Sequence, residues 1–316
     1  MPEPSSLQTA AAVSKPLNVV IPLDGSRHAD RGITPGKRIG AALHLGIGVM
    51  TVASHPVDLD ESMLDEAVAD EHLDWSATSL STRVPDAIVE VAREHDAMVC
   101  MATHGHGRSV GLIGSIPEDV VRQSTMPVLF VGPAADVYED QPIRELVVAI
   151  SGDEPGERVC EAAVDWAVGY GLRLRFVIVV QPTPEPFDPS TPSDRWFGPD
   201  GDEHAYMTDL VRRFEAPGLD LDGVVVYDPV SPAGGLAQMM RARSDAILIV
   251  GTHSRTGMSR LVHGSVASNI VAEAPTPVLM FPFHRSGPGR RVVDRPHHRG
   301  HDHAGTMTRP DRSPSG

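Results

Sequence analysis

The chain states one pattern twice. Met101-Ala-Thr-His-Gly-His-Gly-Arg108, closed by Leu112-Ile-Gly-Ser115, returns as Val250-Gly-Thr-His-Ser-Arg-Thr-Gly257, closed by Leu261-Val-His-Gly-Ser265. In both places an apolar run precedes the block, and a helical stretch and a short Pro-Val-Leu strand follow it. A repeat that includes its flanking elements constrains the fold more than composition does, because both copies must pack in the same way. It also marks two equivalent loops where a ligand would sit.

With 316 residues the chain is long enough for about two domains at roughly 100–200 residues each. We expect domains at 16–134 and 143–283, with residues 1–15 and 284–316 disordered. No stretch reaches the ~20 consecutive apolar residues of a membrane helix, and Met1 to Ser14 lacks a basic start followed by an apolar core. The expected location is therefore cytoplasmic, without membrane attachment. The only cysteines, Cys100 and Cys160, lie in an apolar strand and a helical stretch, so they form no disulfide framework or metal-ligand pair and read as core thiols.

The net charge of −15 is unevenly spread, since residues 285–316 hold seven Arg against three Asp, leaving +4 on the tail and −19 on the rest. An acidic body argues against nucleic-acid binding, which needs a basic face to neutralise phosphates. The tail, rich in Gly, Pro, Arg and His (His297, His298, His301 and His303), cannot bury enough apolar surface to fold. Its His cluster has no fixed geometry for a metal.

Each half opens with a continuous apolar run, Leu17–Leu23 and Leu146–Ile150, suited to a strand buried on both faces of a parallel sheet. Helices are expected over Ala29–Leu45 and Gly156–Tyr170, stopped by Gly46 and Gly171, followed by strands at Gly48–Val52 and Leu174–Val180. Ala53 to Ser79 is mixed, whereas Gln181 to Gly201 is a Pro-, Asp- and Ser-rich stretch expected to be mobile. The order then recovers in both halves. Short strands at Thr82–Val84 and Val224–Tyr227 precede helices ending at His95-Asp-Ala and Ser244-Asp-Ala, and strands Met98–Ala102 and Ile247–Val250 enter the repeated loops. Alternating strands and helices imply right-handed crossovers and open parallel sheets, here two five-stranded, doubly wound α/β domains in tandem.

In such a sheet the first and fourth strands flank the switch point, and ligands bind beyond their carboxyl ends. That order sets Asp24 beside the loop 102–115 and Ser151 beside the loop 251–265. Gly and small hydroxyl residues let backbone N–H groups approach phosphate, aided by the dipole of the following helix. Gly114-Ser115 and Gly264-Ser265 stand at those helix starts, where an ordinary turn and N-cap is the competing reading. Asp24 can accept from an adenine amino group or a ribose hydroxyl, or cap the nearby helix together with Ser26.

These residues resemble a known family. Pro22-Leu-Asp-Gly-Ser26, the Ala102-Thr-His-Gly105 loop with Gly114-Ser115, and Pro127-Val-Leu-Phe-Val131 are similar to the universal stress proteins. The second half joins through Gly251, Gly264-Ser265 and Pro277-Val-Leu-Met-Phe281. The resemblance covers nearly the whole body and implies a tandem member with a Rossmann-like fold of the adenine nucleotide alpha hydrolase kind. It further implies binding of adenine nucleotide, ATP or else AMP or ADP, with Mg accompanying ATP. Carried over position by position, the binding residues would be Pro22, Leu23, Asp24, Val52, Ala102, His104, Gly105, Gly114, Ser115 and Ile116. In the second half they would be Ala149, Ile150, Ser151, Gly251, His253, Ser254, Gly264, Ser265 and Val266.

The nucleotide-binding branch of the family reads Gly, two residues, Gly, nine residues, then Gly-Ser or Gly-Thr, and both copies depart from it. The first has Ala102 for the first Gly, and only eight residues, 106–113, lie between Gly105 and Gly114. The second keeps the spacing but has Ser254 for the second Gly and Ser151 where the adenine-contacting Asp is expected. If the Ser254 position needs positive φ, the side chain there is strained by roughly 1 kcal/mol. Ser151 withdraws a charge and an acceptor from the base pocket.

His104 and His253 fall at the same place in each copy, but no paired nucleophile or acid accompanies either, so packing over a ligand or turn is favoured over catalysis. Arg108, Arg255 and Arg260 are candidates for phosphate contact or for solvated surface. The last strand of each half, Pro127–Val131 and Pro277–Phe281, would lie at a sheet edge, which in this family mediates dimerisation; pairing within the chain, and again between chains, is the expectation. Three functions compete: an adenine-nucleotide-binding stress-response module without committed catalysis, an interaction scaffold that has lost nucleotide, and an adenylating or ATP-hydrolysing enzyme. Ser151-Gly-Asp153 echoes the Ser-Gly-Gly-x-Asp-Ser loop of adenylating enzymes, but the missing second Gly and terminal Ser argue against that chemistry. Slow ATP hydrolysis by backbone positioning of phosphates stays open.

Overall fold

A computed structural model describes residues 15–55, 73–103, 113–137, 141–152, 154–181, 203–251 and 265–282. The expectations of disorder at the two ends and of mobility across 182–201 lie outside the described residues, as does the His-rich tail.

The first half runs β1 (Asn18–Pro22), α1 (Arg27–Asp30), α2 (Ile33–Leu43), β2 (Gly46–Ala53), β3 (Trp75–Leu80), α3 (Val84–Glu94), β4 (Ala97–Ala102), α4 (Ser115–Gln123) and β5 (Val128–Val131). The second repeats the order with β6 (Glu145–Ile150), α5 (Glu154–Tyr170), β7 (Arg173–Val180), α6 (Glu203–Phe214), β8 (Leu221–Tyr227), α7 (Pro232–Met240), β9 (Ala246–Gly251), α8 (Ser265–Glu273) and β10 (Val278–Phe281). Each half is a parallel five-stranded sheet, and the whole is one sheet ordered β3-β2-β1-β4-β5-β10-β9-β6-β7-β8. The first and fourth strands of each half are neighbours, β1 beside β4 and β6 beside β9, as the switch-point argument requires.

The halves meet where β5 and β10 pair antiparallel, with Leu129 opposite Leu279. These strands were expected at an edge. Pairing with each other within the chain, as expected, sets them mid-sheet with two neighbours each, so this ladder leaves no edge for the further pairing between chains. Among the described residues the free edges are β3 and β8. Cores are likewise shared: one buried cluster draws Ile21, Leu43 and Cys100 from the first half and Trp166, Phe176 and Phe281 from the second. Gly132 follows β5 at the junction because a Cβ there would sit 1.9 Å from the Val271 carbonyl oxygen. Arg31 and Arg38 fasten the segment between the halves. The Arg31 guanidinium donates to the carbonyls of Gly132 at 3.0 Å and Ala135 at 2.9 Å, and Arg38 donates to Gln141 at 2.9 Å and Ser244 at 2.5 Å.

Several boundaries differ from expectation for local reasons. The helix expected over Ala29–Leu45 is broken into α1 and α2 by the turn at Arg31-Gly32, which the Cys100 thiol fixes by donating to the Gly32 carbonyl at 3.3 Å. It stops at His44, which takes the left-handed conformation itself (φ 54°), so Gly46 is free to open β2. In the second half Gly171, at φ 67°, does terminate α5. The strand expected at Thr82–Val84 is instead β3 at Trp75–Leu80, and Val84 opens α3, with Pro85 in its first turn. Trp75-Ser-Ala-Thr-Ser-Leu buries only alternate residues and those only partly, so its apolar signal is weak. The helix expected to run to Ser244 ends at Met240, and a turn carries the chain to β9.

Candidate functional site

The backbone of β1 leads directly into the site. Its pairing with β2 continues one residue further, Leu23 N donating to Met50 O at 2.8 Å. The chain then turns sharply at Gly25, whose φ of 74° suits glycine. Asp24 is exposed at this turn, and its Oδ1 accepts from Ser26 N at 3.0 Å. Ser26, buried, caps α1 by accepting from Ala29 N at 3.1 Å. Ser26 is therefore the N-cap, and Asp24 braces the turn before it.

Beyond the carboxyl ends of β1, β2 and β4 lies a cavity of about 170 Å³. Pro22, Leu23 and Asp24 border it from β1, Met50 and Val52 from β2, and Met101 and Ala102 from β4. Ala29 of α1, Val84 and Ile88 of α3, and Ile116 and Pro117 of α4 also line it. Among the described residues the lining is mostly hydrocarbon, with Asp24 as its carboxylate. Such a pocket suits a flat, largely apolar group that needs one polar anchor.

At the head of α4, Gly114 rather than Ser115 is the N-cap, and no side chain caps the helix. Gly114 N donates to the buried Thr103 carbonyl at 2.9 Å, and a Cβ at Gly114 would press on that oxygen at 3.1 Å. Ser115 is the first helical residue, and the side chain of Ile116 is 40 % exposed. Beside Asp24 stands Asp30, whose carboxyl is held above its usual range first by burial and then by the Asp24 charge, against the pull of Arg27.

Of the residues singled out from the sequence, Pro22, Leu23, Asp24, Val52, Ala102 and Ile116 gather around this cavity, with Gly114 and Ser115 at its α4 side. In the second half Ala149 and Ile150 end β6, Ser151 follows exposed, and Gly152 turns the chain at φ 78°. Gly251 ends β9 opposite Phe281, Ser265 starts α8, and Val266 is 48 % exposed. His104, Gly105, Arg108, His253, Ser254, Arg255, Arg260 and Gly264 lie outside the described residues.

Sequence reasoning missed the apolar walls, Met50, Met101, Val84 and Ile88, since a residue lining a cavity reads in sequence like one filling a core. It also missed Gly25 and Gly152, although the shared Gly one residue past Asp24 and Ser151 was a usable signal. The thiols of Cys100 and Cys160 are buried, and burial pushes both above the ordinary thiol range, in keeping with core thiols.

Fold and site together define a doubly wound α/β protein, duplicated in tandem, with a cleft at its switch point. The universal stress protein family model matches residues 17–132 and again 142–282, and the chain belongs to that family. A universal stress protein of Mycobacterium tuberculosis H37Rv is 27 % identical over 203 residues, 63 % of this chain and 66 % of that protein, just under two thirds of its length. One from Thermus aquaticus is 26 % identical over 143 residues, 43 % of this chain and 97 % of its own. Among solved structures, a universal stress protein from Archaeoglobus fulgidus superposes with a TM-score of 0.54 at 15 % identity, covering 84 % of this chain and 96 % of that one, which shows the shared fold.

Proposed function

We propose that this universal stress protein binds an adenine nucleotide, ATP or its relatives AMP and ADP, in its first half, and acts through the occupied state as a stress-response regulatory module without committed catalysis. The observation that carries the reading is the cavity beyond β1 and β4, with Asp24 as the acceptor beside an apolar slot. Met50, Val52 and Met101 would pack on the ring faces, and the Asp24 carboxylate would accept from the exocyclic amine or a ribose hydroxyl. Phosphates would lie toward the uncapped start of α4, where amide dipoles favour anions. Mg would enter only with ATP, bound to its phosphates; among the described residues no group of acidic, His or Cys side chains is placed to hold a metal. A cytoplasmic location belongs to the same reading, and among the described residues no helix is long and apolar enough to cross a membrane.

The scaffold reading draws on the second half, where Ser151 offers no carboxylate at the position equivalent to Asp24. Pairing of two copies would then use the outer strands β3 or β8, since β5 and β10 are paired with each other. Mass spectrometry of nucleotide released on denaturing the purified full-length protein separates the two. Adenine nucleotide near one per chain is expected; its absence, together with no heat on titrating AMP or ATP, would leave the scaffold.

A further inference from the structure

We infer that Arg31 couples the first-half cavity to the seam between the halves, so that the second half senses whether an adenine ligand is bound; the inference rests on the adenine reading above. The coupling starts in one turn of helix. Ala29 of α1 lines the cavity, and Asp24 and Ser26 brace the turn that precedes it. Two residues beyond Ala29 stands Arg31, the C-cap of α1, held close by Gly32 N donating to the Ala29 carbonyl at 2.9 Å. A ligand packed on Ala29 therefore bears on the backbone that carries the guanidinium.

The Arg31 Nη2 reaches three carbonyls of the segment that leaves β5: Gly132 at 3.0 Å, Ala135 at 2.9 Å and Pro133 at 3.4 Å. The same segment grips the second half. Asp136 N donates to the Pro275 carbonyl at 2.9 Å, just ahead of β10, and Gly132 lies against the Val271 carbonyl of α8. A second line arrives from the opposite wall, where Ile116 and Pro117 of α4 line the cavity. At the head of α4, Gly114 N donates to the Thr103 carbonyl at 2.9 Å, and the buried Thr103 donates its own N–H to the carbonyl of Val131, next to Gly132, at 3.2 Å. Two walls of the cavity thus converge on residues 131–136 through contiguous hydrogen bonds.

The arrangement is particular to the first half. α5, the equivalent of α1 and α2, runs unbroken over Glu154–Tyr170. In the first half the break at Gly32, fixed by the Cys100 thiol, leaves α1 as four residues between the ligand turn and Arg31. The half with the carboxylate at its strand end is the half wired to the seam.

Hydrogen exchange read by mass spectrometry on the full chain, with and without saturating AMP, tests this. AMP should slow exchange of the amides of Ala135 and Asp136 at least about threefold in the wild type, relative to β7 amides that report global opening. Arg31→Met keeps the hydrocarbon stem and removes the donors, and should reduce that change to less than about 1.5-fold at matched occupancy. By reciprocity it should also weaken AMP about three- to tenfold in calorimetric titration. Arg31→Lys, which keeps the charge but not the planar fork, carries the same comparison if the methionine variant does not fold. A merely structural Arg31 would speed exchange equally with and without AMP and leave the AMP-dependent ratio intact, which would overturn the inference. AMP binding to the wild type with no change at Ala135 and Asp136 would overturn it too, and leave the adenine reading standing. Absence of any AMP heat would remove the adenine reading, and this inference with it.

Discussion

At the end of β1 the chain sets Asp24, and at the equivalent end of β6 it sets Ser151; the turns that follow are alike, with Gly25 at φ 74° and Gly152 at φ 78°. The backbone was duplicated faithfully while the side chains were not. At the other end of the sheet the halves differ in the opposite sense. Gly48 on β2 pairs with Trp75 on β3, and the indole lies across the glycine, stacked on His95 at 4.2 Å. The equivalent pair on β7 and β8 is Arg175 with Asp222, joined by two hydrogen bonds of 2.8 and 2.7 Å. Arg175 also meets the buried Glu145 at 3.2 Å, which accepts from Arg243 at 2.9 Å. Charges buried in a network need every partner, whereas an aromatic lid over a glycine needs only space. The first half thus invests polarity at its ligand end, and the second at its amino-terminal sheet end.

Breaking that contrast gives a ranked set of outcomes. Glu145→Ala strands Arg175 and Arg243 without their shared carboxylate, and should cost about 3–5 kcal/mol in urea unfolding, since removing one partner leaves buried charge. A loss under about 1 kcal/mol would show the network to be solvated. Gly48→Ala would push a methyl into the Trp75 ring, 2.1 Å from the ideal Cβ position, and should cost about 1–3 kcal/mol with loss of the indole's near-ultraviolet signal.

The caps sharpen the comparison, because here the halves agree. Ser26 accepts from Ala29 N at 3.1 Å and Ser231 from Gly234 N at 2.9 Å, so each Ser→Ala change should cost about 1 kcal/mol. Only Ser26→Ala should also weaken adenine binding, by loosening the Asp24 turn. The smallest effect is confined to alkaline pH. The Tyr206 hydroxyl donates to Glu157 at 2.9 Å, and burial first, then that hydrogen bond, raises its pKa above the ordinary 10.0. Its protonated form is favoured in the folded state, so this stability is fully present below pH 10.0 and is lost as pH rises above it. Tyr206→Phe should change neutral stability by no more than about 1 kcal/mol and flatten the alkaline loss measured by thermal unfolding across that range.

Much of the frame is legible in the sequence. Continuous apolar runs marked the buried parallel strands, and the repeat aligned the halves so that Asp24 and Ser151 fell at equivalent strand ends. Edge strand β3 was misplaced because Trp75-Ser-Ala-Thr-Ser-Leu shows weak alternation where half-buried small residues suffice. The merger into one sheet rests on the β5–β10 pairing, which the family resemblance implied and periodicity alone marks only as two apolar edges. The cavity walls were hidden for a similar reason: Met50 and Met101 are at most 6 % exposed, and burial against a void looks like burial against a neighbour.

The most direct test of the account is calorimetric titration of AMP into the wild type, Asp24→Ala and Ser151→Ala, each as the full chain. The account predicts at least about tenfold weaker binding in Asp24→Ala, the loss of one hydrogen bond to a charged acceptor, and a change of less than about twofold in Ser151→Ala. Full affinity in Asp24→Ala, or loss confined to Ser151→Ala, would contradict it.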